Sequence, residues 1–190
     1  MCIRDSFLTQ WLSTPTSLFG FYQGNMLQMP NPNANLTYYV KSVVNVVTSV
    51  GAKDNSIGSG IYTITPGFGF FFDVLRPLTL KSIDVNALSP GATMQIRLTN
   101  NVGVILKDTI VTAFSAGVMT VDMGVNIQAG NQYRLVALTN NLNAYINLDG
   151  AAYPYTIPNV ISITGNNFGN PTYFGMFYNW VVSYDACESN

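Results

Sequence analysis

Any chemistry in this chain has to come from carboxylates, tyrosines and amides, because its 190 residues include no histidine. That removes the commonest general base, the commonest zinc ligand and every Ser-His or Cys-His nucleophile. Asp73, Asp84, Asp108, Asp122, Asp149 and Asp185 are scattered over different predicted strands and turns. A glycosidase needs two carboxyls facing one another across a cleft, and nothing in this spacing pairs them. Asp84 and Asp122 fall in the polar phase of alternating strands, where a solvated carboxylate is the ordinary explanation. The sequence therefore reads as non-catalytic.

A second set is better suited to binding. Tyr145, Asn147, Asp149, Tyr153 and Tyr155 fall within one strand-to-loop segment. Stacking platforms for sugar rings combine tyrosine or tryptophan with neighbouring amide or carboxylate hydrogen-bonders. The competing reading is that Pro154 and Pro158 stiffen this loop while its tyrosines pack over the end of a core. No cofactor is expected; calcium, held by Asn141, Asn143 and Asp149, is the one metal the composition leaves room for, although a single carboxylate is few and no Asp-x-Asp-x-Asp loop occurs. Tyr173, Phe174, Phe177, Tyr178, Trp180 and Tyr184 form the densest aromatic run and read as a central strand packed on both faces. Gly67-Phe68-Gly69 precedes no helix and reads as a turn into a strand. Asn35-Leu36-Thr37 has the form of a glycosylation acceptor.

The elements that would position these residues are strands. Met119, Val121, Met123, Val125 and Ile127 alternate with polar or small residues, as a strand with one core face does. Met94, Ile96 and Leu98 repeat the pattern, and Asn100-Asn101-Val102-Gly103 supplies a turn before the next strand at 104–111. Leu78 and Leu80 lie in one phase and Ile83, Val85 and Ala87 in the other, so Lys81-Ser82 marks a bulge. Further strands are predicted at 69–75, 133–139, 143–148, 160–164 and 173–184, with no helical segments between them. The expected fold class is all-β, an antiparallel two-layer β-sandwich.

Only 9% of residues are charged, with 8 basic against 9 acidic and no run of either sign. Such a surface neither neutralises phosphates nor attracts anionic lipid, so no nucleic-acid partner is expected. No apolar run is long enough to span a bilayer as a helix, and membrane insertion is not expected. The polar surface must come from Asn, Thr, Ser, Gln and Gly, a composition common in secreted β-proteins. Cys2 and Cys187 sit near opposite ends and belong to no CxxC pair.

Residues 7–47, with Pro15, Pro30 and Pro32, read as the C-terminal piece of a preceding β-domain, 48–54 as a linker and 55–190 as the sandwich. Met1 to Ser6 resembles translated sequencing adapter and is set apart. Thr37-Tyr38-Tyr39-Val40, the stretch from Phe72 to Ser82, Tyr153-Pro154-Tyr155 and Ile161-Ser162-Ile163-Thr164-Gly165, in this order, resemble a module of secreted multidomain surface proteins of the Bacteroidetes. The resemblance implies an immunoglobulin-like repeat ending near residue 47, then a jelly-roll-like sandwich, exported by the type IX system. It also implies an extracellular or cell-surface location and a role in adhesion or polymer handling. Neighbouring modules of the same chain are then partners, as is a polysaccharide or cell-surface glycan if the module is instead a carbohydrate-binding accessory to polysaccharide degradation.

Overall fold

The structure, a computed structural model, describes the backbone of residues 8–14, 17–23 and 39–186, and side chains from residue 44 to 186. The chain divides into two compact units, one of residues 1–46 with 185–190 and a larger one, Val47–Tyr184. In the first unit, β1 (Leu8–Thr14), β2 (Ser17–Gln23) and β3 (Tyr39–Val43) form an antiparallel sheet in the order β2-β1-β3. The Met1–Ser6 segment, Pro15, Pro30, Pro32, the Asn35 acceptor and Cys187 lie outside the described residues.

The larger unit is an antiparallel β-sandwich. One sheet contains β4 (Asn45–Val50), β5 (Gly60–Thr63), β7 (Leu78–Ala87), β10 (Gly117–Ile127), β12 (Ala144–Asn147), β15 (Phe174–Gly175) and β16 (Tyr178–Asp185). The other runs β13-β14-β6-β11-β8-β9, where β6 is Gly69–Val74, β8 Thr93–Thr99, β9 Ile105–Thr112, β11 Gly130–Asn140, β13 Tyr155–Ile157 and β14 Ile161–Asn166. The chain crosses between sheets from β5 to β6, β6 to β7, β7 to β8, β9 to β10, β10 to β11, β11 to β12, β12 to β13 and β14 to β15, a jelly-roll-like path.

Alternation explains most of this. In β10, Val121, Met123, Val125 and Ile127 are buried, Met119 is half-buried, and Thr120, Asp122 and Asn126 are exposed. The bulge in β7 is present. Ser82 pairs with Val181 and Leu80 with Val182, so Lys81 is one residue too many, and Leu80 and Ile83 can both face the core. The hairpin between β8 and β9 closes on Asn100, whose side chain accepts from the amides of Val102 and Val104, while Gly103 supplies the left-handed residue at φ +84°.

Two expectations change. The stretch 48–54 is not a free linker: Thr48–Val50 is in β4, and Val50 and Ala52 are buried in the core. The aromatic run 173–184 is not one strand. Met176 and Asn179 take positive φ, and the chain bends between β15 and β16 with Phe177 fully buried in the bend. Trp180 then sits at the centre of the core, its ring edge-on to Phe70 and Phe72 and its indole N–H donating to the Phe177 carbonyl.

Candidate functional site

The five residues nominated by sequence do not converge on one surface. Asn147 is fully buried at the end of β12. Its amide nitrogen donates to the carbonyls of Asn55 and Gly58, at 3.0 and 2.8 Å, and its oxygen accepts from the Tyr178 hydroxyl at 2.8 Å. Both amide hydrogens and the amide oxygen are engaged by the protein in a fully buried position, and the segment before β5 is pinned to the sheet.

Asp149 is exposed but does similar work from outside. Its carboxylate accepts from the amide and hydroxyl of Ser59, and the Leu148 amide donates to the Ser59 carbonyl. The two segments approach so closely that a Cβ on Gly58 would stand 1.9 Å from an Asp149 oxygen. Only glycine fits there, whatever its backbone angles.

Tyr153 and Tyr155 close one end of the core. Tyr153 packs against Phe174 and Tyr155, with ring centroids 6.0 and 5.5 Å away, and Tyr155 sits edge-on to Phe174 at 5.1 Å. The Tyr153 hydroxyl donates to the Tyr173 carbonyl, and the Tyr155 hydroxyl accepts from the Ala152 amide. Burial raises the Tyr153 hydroxyl well above the ordinary tyrosine value, and Tyr178, buried more deeply, is raised further for the same reason. Beside Tyr153 lies an open depression of about 170 Å³, rimmed by Gly165, Asn166, Gly169 and Asn170. The Asn166 amide is used internally, donating to the Asn170 and Tyr173 carbonyls.

Tyr145 belongs elsewhere. Its ring meets Tyr62 of β5 edge to face, with centroids 5.0 Å apart. Sequence reasoning passed over Tyr62, because Ile61-Tyr62-Thr63 is too short a piece to show alternation.

Asp73, Asp84 and Asp108 are similarly occupied, while Asp122 is exposed on β10. Asp84 accepts from the Thr120 hydroxyl and the Asn179 amide, and Asp73 from the Gln132 backbone amide. Asp108 is held below the usual carboxylate range by hydrogen bonds from Gln95 and then Arg97, and Asp54 by the hydrogen bonds of Ser56. For calcium, Asn143 and Asp149 stand at opposite ends of β12. The four strand residues of β12 between them span roughly 13 Å, beyond a single coordination sphere. Asn143 instead donates to the Ser89 hydroxyl. Among the described residues, no group of three acidic, cysteine or histidine side chains could hold a metal ion. Comparison of the chain with protein-family models, curated proteins and solved structures finds no match.

Proposed function

We propose that the chain is a non-catalytic, extracellular β-sandwich module of a larger secreted or surface-attached protein, with a structural or adhesive role. The observation that carries this reading is the internal use of the chemically capable side chains. Asn147 and Asp149 lock the 55–59 segment to β12, Asp84 ties three strands together, and Asp73 caps the bulged start of β11. Carboxylates poised for acid-base work sit in a cleft with their oxygens directed at the reacting bond. These are directed at their own scaffold. The low charge and the Asn-, Thr- and Ser-rich surface support an extracellular location.

The test is to incubate the full chain with a panel of soluble polysaccharides and measure new reducing ends. No release above the blank is expected. Sugar release that disappears on Asp84→Asn or Asp54→Asn would replace this reading with a carboxylate hydrolase.

A further inference from the structure

We propose that the outer face of the seven-stranded sheet carries a binding site for a neutral saccharide, built on Tyr62, Tyr145, Asn86 and Asp84. This deepens the adhesive side of the reading above and rests on it, naming a site and a ligand class that reading leaves open.

Strand pairing puts these residues in one row. Val118 of β10 is opposite Asn86 of β7, and the pairing of Ala144 with Ala87 brings Tyr145 of β12 alongside Asn86. Tyr145 is in turn opposite Tyr62 of β5. The row crosses four strands, roughly 14 Å at the usual strand spacing. It faces away from the core, because Val85 and Ala87 on either side of Asn86 are both core residues.

The chemistry along the row suits a sugar. Tyr62 is 39% exposed and Val118 62% exposed, so an aromatic ring and an aliphatic side chain stand open at its two ends. The Tyr62 hydroxyl donates to Asn86 Oδ1 at 3.2 Å, which orients the amide. Asn86 is 8% exposed, and among the described residues its Nδ2 has no protein acceptor, so the small surface it keeps is that of an unspent donor at the floor of the row. In the next row, Asp84 accepts one hydrogen bond on each oxygen, from Thr120 and from Asn179, which leaves a lone pair on each. Asn86, Asp84 and Val118 line a depression of about 10 Å³, bordered by Lys53 and Asp54, which has room for one hydroxyl group and not for a ring, so a sugar would lie across the row and not in a pocket.

The open Tyr62 ring gives the apolar face of a pyranose something to lie on, and a positioned amide with a carboxylate reads its hydroxyls. Asp54 and Asp84 outnumber Lys53 around this depression and disfavour an anionic polymer, so the ligand class is neutral. The other aromatic end offers no comparable set, since the hydroxyls of both Tyr153 and Tyr155 are engaged with backbone.

Affinity electrophoresis of the full chain in gels containing β-glucan, xylan, mannan or starch, with alginate as an anionic arm, tests the proposal. At least one neutral polymer should retard the protein. Tyr62→Ala, which removes the platform, and Val118→Arg, which obstructs the row from its far end, should each weaken retardation at least tenfold. Tyr155→Phe should retain it. Both row positions are exposed, and a melting curve of each variant confirms folding. No retardation by any neutral polymer, retardation by alginate alone, or retardation unaffected by both row variants would overturn the proposal and leave the non-catalytic reading standing. Reducing-end release in the preceding assay would instead remove that reading.

Discussion

Two aromatic groups lie on this sandwich, and they are used in opposite ways. At the core's end, Tyr153 and Tyr155 direct their rings inward at Phe174 and their hydroxyls at backbone groups. On the outer face of the seven-stranded sheet, Tyr62 and Tyr145 meet only edge to face, and Tyr62 stays partly exposed above an amide whose nitrogen has no protein acceptor among the described residues. Density of tyrosine in the sequence favours the first group. Unused ring face and unused hydrogen-bonding capacity favour the second. Aromatic residues close together in sequence tend to be close in the core, whereas a platform is assembled from strands that pair across the fold: Tyr62 and Tyr145 are 83 positions apart, from 62 and 145.

If the scaffold is as described, the largest loss should come from the core face of β10. Val121→Asp puts a carboxylate against Ile83 in an apolar layer and should cost several kcal/mol, enough to abolish cooperative unfolding in urea. Thr120→Asn, one position away on the exposed face, should change stability by about 0.5 kcal/mol or less. Equal losses would mean that β10 runs in the opposite register.

A smaller loss separates structural polar groups from a ligand site. Asn147→Ala strands the carbonyls of Asn55 and Gly58 and should cost about 2–3 kcal/mol, read as a lower urea midpoint with an unchanged slope. A near-neutral result would return Asn147 to the list of ligand contacts.

The fold was largely legible. Period-two patterning places β8 and β10, the Asn100–Gly103 turn places β9, and the phase change at Lys81-Ser82 places the bulge, because half-buried strands write their register directly into the sequence. The bend at Met176 was not legible, since a positive φ on a methionine leaves no compositional mark. Nor was the start of the sandwich: Thr48 to Ala52 resembles a polar linker, yet Val50 and Ala52 are buried. The candidate site was legible only at Tyr145. Alternation correctly sets Thr120 in water, but it gives no hint that Asp84 lies opposite. A carboxylate at Thr120 would face a like charge, so asparagine is the appropriate control. Cross-strand neighbours are a property of pairing, which a single sequence does not display.

The division between a closed aromatic end and an open aromatic row is tested most directly by unfolding Tyr153→Ala and Tyr62→Ala side by side in urea. Tyr153→Ala removes a ring packed on Phe174 and should lose about 3 kcal/mol, whereas Tyr62→Ala removes a partly exposed edge-strand ring and should lose about 1 kcal/mol or less. Equal losses, or a larger loss for Tyr62, would contradict the division and make the outer row part of the scaffold.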